Sequence, residues 1–155
     1  MVKFQYQDLR SQSIMLIISF AWTTPALIAG EKNVTRRDWN PKYAARFQEG
    51  QHVQAYDKSP RFGGKRVGII RIKEKPYQEY TCHAPGKDYK GEGFEYMQKR
   101  GILLNGKYTP DQLWRVWMNH VNIEKWVVRF EIVRLVEGVC SDIMRDIEKK
   151  YGPIK

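Results

Sequence analysis

The sequence predicts an α+β fold, with a small, mostly antiparallel β-sheet or barrel, helices between its strands, and a C-terminal helix. The predicted elements run strand, helix, strand, helix, two hairpin strands, two helices, long strand and helix. This order does not alternate as βαβ units do. The strand at residues 16–20 is apolar enough to be buried, and that at residues 125–136 is the longest. A chain of 155 residues can form one domain with a hydrophobic core.

The composition excludes a disordered chain and favours an anionic partner. Apolar residues make up 42% and aromatic residues 13%, which is enough for a packed core. Lysine and arginine number 27 against 17 acidic residues, a formal charge of +10. Nucleic acid is the commonest partner of such a surplus, followed by membrane lipid or an acidic protein. The apolar run at residues 14–21 is too short to span a membrane, so no membrane segment is predicted.

The two cysteines predict neither a disulfide framework nor a metal site. Cys82 and Cys140 lie far apart, and neither belongs to a CxxC motif. Cys82 is followed by His83, but adjacent residues rarely ligate one ion, and His52 and His120 show no ligand spacing with them. We therefore predict no metal and no cofactor, and a reducing, cytoplasmic location.

The first half of the chain shows clear helix and strand boundaries. A short helix at residues 24–30 ends at Gly30, and a short extended piece follows at residues 33–37. Asn40 and Pro41 begin the next helix, which is predicted to end at Gly50. Strands at residues 52–57 and 67–73 are joined by a turn-rich loop and form a hairpin.

The second half is predicted to hold three helices and the long strand. Residues 76–91 contain prolines and glycines that indicate a long irregular connection, followed by a helix at 92–100 with Phe94 and Met97 inward. Thr109 and Gln112 form a capping box for a helix whose inward side is predicted to include Leu113, Val116, Trp117 and a partly buried His120.

The last helix, ending at Tyr151, carries an apolar stripe. That stripe must pack on the barrel or on a second copy of the chain, so a homodimer through this helix is possible.

The segment after Gly30 is the strongest functional candidate. Six consecutive positions contain Lys32, Thr35, Arg36 and Arg37. Such a cluster of cations and a hydroxyl can bind a phosphate or the polar edge of a base. In a regular strand Thr35 and Arg37 share one face and Lys32 and Arg36 the other. Lys32 and Thr35 can therefore meet at one ligand only if the backbone bends between them. The alternative is a solvated loop and edge strand with surface charge.

The hairpin is the second candidate. Residues 58–75 hold seven basic residues and one acid, a plausible contact surface for a phosphate backbone, and Phe62 at the tip could stack on a base. Tyr56, Arg61, Lys65 and Arg66 are the predicted contacts. Tyr56, Arg61 and Lys65, with Asp57, could also serve a ribonuclease. An ordinary solvated hairpin is the alternative.

Several motifs together resemble ASCH domains, which belong to the PUA-like superfamily of small β-barrels. The similar stretches are residues 19–37, 47–53 and 68–72, and the Glu-Gly-Phe motif at 92–94. The resemblance covers residues 15–136, leaving residues 1–14 as a flexible arm or non-native extension and residues 137–155 as a C-terminal helical extension. It implies a PUA-like barrel with a cleft lined by the lysine–threonine–arginine segment, and RNA or modified nucleotides as ligands.

The resemblance also implies a possible chemistry. Some small ASCH proteins are amidohydrolases that remove an acyl group from the exocyclic amine of cytidine with a lysine, a threonine and a glutamate. The matching residues are Lys32, Thr35 and Glu92. Neighbouring arginines would lower the pKa of Lys32 and make it a base for Thr35, whereas pairing with Glu92 would keep it charged. We therefore predict RNA or nucleotide binding in a basic cleft, with an amidohydrolase or a ribonuclease as alternatives.

Overall fold

The computed structural model describes residues 15–153, so the predictions for residues 1–14 lie outside it. In this part of the chain the fold is α+β, with six strands in a curled half-barrel and six α-helices around it. The strands are β1 (Ile17–Ser19), β2 (Val34–Arg37), β3 (His52–Tyr56), β4 (Arg66–Ile72), β5 (Tyr77–Tyr80) and β6 (Glu124–Leu135). The helices are α1 (Thr24–Ile28), α2 (Pro41–Ala44), α3 (Lys87–Gly91), α4 (Phe94–Arg100), α5 (Pro110–Asn119) and α6 (Glu137–Tyr151).

The long strand β6 is central, as the sequence predicts. The sheet order is β1-β3-β4-β6-β2, and β5 also pairs with β6. β1 runs parallel to β3, and the other pairs are antiparallel. β4 pairs with residues 130–135 of β6 and β5 with residues 124–127, so β4 and β5 follow each other along one side. β2 pairs with residues 126–129 on the other side and forms an edge of the sheet.

The C-terminal helix α6 packs within the chain. Val139 and Ile143 contact the main core, which contains Phe47, Ile70 and Phe130. Further along the helix, residues 147 and 151 pack on a second, smaller cluster. The apolar stripe is therefore covered intramolecularly, and it no longer argues for a homodimer.

The predicted capping signals are confirmed. Gly30 has a φ of +75° and ends α1, as a residue without a Cβ can. The Asn40 side chain accepts a hydrogen bond from the Tyr43 N–H at 2.8 Å and begins α2. Thr109 and Gln112 form the reciprocal capping box of α5.

Two helices differ from the prediction. α2 ends at Ala44 and does not reach Gly50. In α5 Trp117 is buried as predicted, whereas Val116 is 44% exposed and His120 is exposed at the helix end. The prediction of a partly buried His120 is wrong because α5 stops at Asn119 and the His120 ring turns back to the Val116 carbonyl, 2.7 Å from Nδ1.

The segment at residues 76–91 is more ordered than predicted. It contains β5, a 3₁₀ turn at Thr81–His83, and α3. Pro76 precedes the first residue of β5, where a missing N–H does not break the pairing with β6. Gly93, with a φ of +89°, separates α3 from α4, so the predicted helix at 92–100 begins only at Phe94. This break sets the position of Glu92.

None of the helices within residues 15–153 has the length and apolar character needed to cross a bilayer.

Candidate functional site

The segment after Gly30 lines a pocket of about 200 Å³ beside β2, called here the β2 pocket. Lys32, Thr35, Arg36 and Arg37 contribute from one wall, and Glu92 contributes from the α3–α4 break. Four aromatic residues also line it, namely Phe20, Trp22, Phe94 and Trp117, together with Ser19, Ala21, Thr23 and Leu113. Residues from both faces of β2 reach this pocket because it lies along the strand edge that β6 leaves unpaired.

Local backbone geometry brings these side chains together. The chain turns after Gly30 and the Asn33 N–H donates to the Gly91 carbonyl at 2.8 Å, which ties the start of β2 to the end of α3. A Cβ on Gly93 would lie only 2.6 Å from the Ala26 Cβ, so glycine allows the α3–α4 break to approach α1 closely. Glu92 is thereby placed over Lys32.

Lys32 is a buried amine held by Glu92. Its Nζ donates to the Glu92 carbonyl oxygen at 2.7 Å and to Glu92 Oε1 at 3.3 Å, and only 4% of the residue is exposed. Burial lowers the pKa of Lys32 to about 8. The Glu92 carboxylate opposes the shift, and Arg37 and Arg36 add to it. With this pKa, about one Lys32 in ten is neutral at pH 7. The amine is mostly charged near neutrality, yet it can lose its proton there.

The Arg36 guanidinium is committed to three carboxylates. Nη1 donates to Glu92 Oε2 at 2.7 Å, and Nη2 donates to Glu79 Oε1 at 2.8 Å and to Asp88 Oδ2 at 2.6 Å. Burial alone would lower the pKa of Arg36, but these carboxylates outweigh it and raise the pKa. The side chain is 0% exposed. The Arg36 guanidinium therefore anchors the site and has no surface with which to contact a ligand.

Arg129 extends this network on the far side of Asp88. Its Nη1 and Nη2 donate to the two Asp88 oxygens at 3.0 and 2.9 Å. Burial would raise the pKa of Asp88, but hydrogen bonds from Arg129 and Arg36 hold it below its usual value. The buried charges of the network are thus largely matched, which a low-dielectric interior requires.

Arg37 is the cation of the pocket for which residues 15–153 supply no carboxylate partner. Its Nε donates to Thr35 Oγ1 at 3.1 Å, and its Cζ lies 5.5 Å from the centre of the Phe20 ring. Among the residues that the structure describes, none forms an ion pair with it. Burial lowers the pKa of Arg37, but an arginine keeps its charge at neutral pH. Because Thr35 Oγ1 accepts from Arg37, its own hydrogen is left to be donated elsewhere.

The predicted hairpin residues lie outside the β2 pocket. Arg61, Lys65 and Arg66 are exposed in the β3–β4 hairpin and do not line the pocket. Tyr56 lies closer to the β2 pocket, since its carbonyl accepts a hydrogen bond at 2.8 Å from the N–H of the pocket residue Phe20. Phe62 is 72% exposed in the 3₁₀ turn Pro60–Phe62. The two candidates form separate surfaces that meet near β1.

Asp57 has a local structural role in the hairpin. Its Oδ1 accepts hydrogen bonds from the N–H groups of Lys58 at 2.8 Å and Lys65 at 2.7 Å. These contacts close the loop between β3 and β4. They occupy one oxygen of the carboxylate that the ribonuclease alternative requires.

A second cavity lies against the other side of Lys32. This groove of about 660 Å³ between the start of β2 and α3 is lined by Lys32, Lys73, Lys87, Asp88, Lys90 and Arg129, among others. Of its residues, the sequence predicted only Lys32 as functional. Arg129 carried a detectable signal, because a charged residue between Val128 and Phe130 in an apolar strand indicates a buried partner. Asp88 lies in a segment that the sequence predicts to be irregular, and no sequence pattern there indicates a functional residue.

The fold and site define an α+β half-barrel protein with a buried lysine–glutamate–arginine cluster beside a small aromatic pocket. A scan against protein-family models and a search of curated proteins produce no match to this chain. Among solved structures, the chain is similar to the crystal structure of a protein from Enterococcus faecalis V583 described by the family model DUF984. The similarity covers 87% of this chain and 94% of that one, with 14% identity and a TM-score of 0.46. We therefore infer function from the residues of the site.

Proposed function

We propose that this protein is a PUA-like, ASCH-type domain that binds RNA or a nucleotide in its basic cleft, with one base or nucleoside in the β2 pocket. A single observation carries the proposal. Lys32, Thr35, Arg37 and Glu92 line one pocket that also contains four aromatic side chains. Polar groups and rings together suit a flat, polar heterocycle.

The size of the pocket supports a base or nucleoside as its occupant. At about 200 Å³ it is smaller than the pockets that hold drug-sized ligands, which begin at roughly 300 Å³. The half-buried Trp22 ring can stack on a base. Arg37, which forms no ion pair within residues 15–153, can offer its positive charge to a phosphate or a carbonyl oxygen. A longer RNA would continue beyond the pocket.

The hairpin supplies a surface for that continuation. Arg61, Lys65 and Arg66 are exposed, and the hairpin begins at Tyr56, which is hydrogen-bonded to the pocket residue Phe20. The formal charge of +10 favours approach of any polyanion. In this proposal the pocket supplies selectivity and the hairpin supplies electrostatic affinity.

Binding of a labelled single-stranded RNA, followed by fluorescence anisotropy at increasing salt, tests the proposal. The affinity should fall steeply with salt, because phosphate contacts release counterions. Unlabelled cytidine 5′-monophosphate (CMP) should displace the pocket-bound part of the RNA. The proposal would be overturned if the protein did not bind RNA, or if RNA binding changed neither with salt concentration nor on addition of CMP.

A second candidate, an amidohydrolase acting on an acylated cytidine-type nucleoside, is favoured by the state of Lys32. A pKa of about 8 leaves a neutral fraction able to accept the Thr35 proton. The Thr35 oxygen would then attack the acyl carbonyl, and the Lys32 ammonium would return the proton to the departing amine. Water would afterwards hydrolyse the acyl–threonine ester. Glu92 holds the lysine in position throughout.

Release of cytidine from N4-acetylcytidine, followed by chromatography, tests this candidate. Thr35→Ala should abolish turnover, whereas Ser141→Ala, which removes an exposed hydroxyl on α6, should not change it. Turnover by Thr35→Ala at the wild-type rate would exclude the threonine as nucleophile. No observation in residues 15–153 specifically favours the ribonuclease alternative.

A further inference from the structure

We propose that the main chain of Arg36, on the open edge of β2, binds the hydrogen-bonding edge of a nucleobase in the β2 pocket. The inference rests on the proposed function and adds to it the feature of the ligand that is recognised. It assigns the recognition to one N–H and one C=O group, and not to a side chain.

The register of β2 fixes the direction of these groups. The Phe130 N–H donates to the Asn33 carbonyl at 3.0 Å, and the next pairs are Val34 with Arg129 and Thr35 with Val128. In an antiparallel ladder, hydrogen-bonded pairs alternate with non-hydrogen-bonded pairs. Thr35 therefore exchanges its hydrogen bonds with β6.

Because of this alternation, the main-chain N–H and C=O of Arg36 point away from β6. Arg36 lies opposite Val127 in a non-hydrogen-bonded pair, so its N–H and C=O point to the free edge. That edge borders the β2 pocket, which Arg36 lines.

The exposure of Arg36 shows which part of the residue lines the pocket. The whole residue is 7% exposed, whereas its side chain is 0% exposed. What remains accessible is therefore main chain. Within residues 15–153 neither its N–H nor its C=O has a hydrogen-bond partner from another residue. Unpaired main-chain groups in a confined site are costly unless water or a ligand satisfies them.

A nucleobase matches this pair of groups better than other parts of a nucleotide. One strand residue presents a donor and an acceptor side by side, as it would to a partner strand. Cytosine N3 and its exocyclic amine offer the complementary acceptor and donor, and adenine and uracil offer equivalent edges. A phosphate offers acceptors only. A pairing peptide strand would need a long open edge, whereas β2 has four residues and its edge borders a pocket of about 200 Å³.

The buried side chain of Arg36 keeps this main chain in place. Its guanidinium forms ion pairs with Glu92, Glu79 and Asp88. These three ion pairs restrain the side chain and therefore the backbone at residue 36. A preorganised donor and acceptor lose little entropy when a ligand binds. The buried network then positions the strand edge instead of touching the ligand.

Three nucleotides titrated into the full ¹⁵N-labelled chain test the inference. CMP carries the complete base edge. Its 3-deaza analogue replaces the N3 acceptor by a C–H and adds only one hydrogen atom, and its 5-methyl analogue leaves the edge intact. We expect the 3-deaza analogue to bind about tenfold more weakly, the equivalent of roughly 1.4 kcal/mol, and the 5-methyl analogue to bind like CMP. The Arg36 amide signal should shift with CMP and barely move with the 3-deaza analogue.

The outcomes separate this inference from the proposed function. If CMP and the 3-deaza analogue bind equally, or the Arg36 amide does not respond to bound CMP, the inference is wrong although nucleotide binding stands. If RNA binds but CMP does not enter the pocket, the inference is also wrong. If neither RNA nor CMP binds, the proposed function fails, and the inference fails with it.

Discussion

Glu92 joins Lys32 to Arg36 across the base of the β2 pocket. Its Oε1 lies 3.3 Å from Lys32 Nζ, and its Oε2 lies 2.7 Å from Arg36 Nη1. Glu92 reaches both cations because Gly93 lets the chain approach α1 closely. One carboxylate thus bridges two buried cations, and Arg36 has two further carboxylate partners. Within residues 15–153 Arg37 forms no ion pair, so it is the charge available to a ligand in the pocket. The predictions below depend on this arrangement.

Glu92→Gln should destabilise the fold strongly. Removing the carboxylate leaves Lys32 and part of Arg36 buried without their counter-charge, which costs about 3 kcal/mol in comparable pairs. Chemical denaturation monitored by circular dichroism measures the change. Glu95→Gln is the control, because Glu95 is only partly buried and lies 4.0 Å from Lys90. A loss for Glu92→Gln no larger than that of the control would contradict the arrangement.

Lys32 should make the free energy of unfolding rise with pH in the alkaline range. Its pKa is about 8 in the folded chain, below the ordinary lysine value of 10.5 expected when the chain is unfolded, so the folded state releases this proton first. Between these pH values the unfolded state binds more protons, and stability therefore increases with pH. Below pH 8 both states are protonated and the burial penalty is fully present.

Denaturation from pH 7 to 10.5 of the wild type and Lys32→Met measures this contribution. The wild type should gain stability relative to Lys32→Met as the pH rises above 8. Lys99→Met, which removes an exposed lysine of α4, should follow the wild type. Parallel curves for the wild type and Lys32→Met would show that Lys32 is not buried as a charged group.

Ala21→Gly should stabilise the protein. Ala21 has a φ of +48°, a left-handed conformation that costs an alanine about 1 kcal/mol and a glycine almost nothing. Thermal unfolding should show a higher Tm for Ala21→Gly. Ala29→Gly is the matched control, because Ala29 has a φ of −74° and glycine there should lower the Tm. Equal effects of the two substitutions would argue against strain at Ala21.

The hairpin cations should contribute to the affinity for RNA and not to the affinity for a mononucleotide. Replacing Arg61 and Lys65 by alanine should weaken RNA binding and reduce the salt slope by about 2, one unit for each lost phosphate contact. The affinity for CMP should be unchanged, since neither residue lines the β2 pocket. The control replaces two exposed lysines, Lys99 and Lys149. A hairpin double variant with wild-type RNA affinity would remove the hairpin from the binding surface.

Local signals in the sequence predicted the elements that depend on neighbouring residues. The Gly30 helix end, the Asn40 cap and the Thr109 capping box follow from chain positions within four residues of one another, and each is confirmed. The central place of β6 followed from apolar residues on both of its faces. These features need no knowledge of the tertiary structure.

Features that depend on distant contacts could not be predicted. β5 forms a strand because β6 offers an unpaired side, although Pro76 and nearby glycines suggested a loop. The partners of Arg36 lie 43 to 56 residues away in sequence. Arg36 therefore looked like a ligand-facing cation, but both of its Nη atoms donate to carboxylates and its side chain is fully buried. Lys32 and Thr35 line one pocket because the strand edge, and not one face, borders it.

The most direct test of nucleotide binding in the β2 pocket is a calorimetric titration of CMP into the wild type and Arg37→Ala. Arg37 is the pocket cation without a carboxylate partner in the described chain, so its loss should weaken binding at least about tenfold while the Tm changes little. Arg115→Ala, which removes an exposed arginine of α5, should bind as the wild type does. Equal affinity of the wild type and Arg37→Ala for CMP would contradict the account.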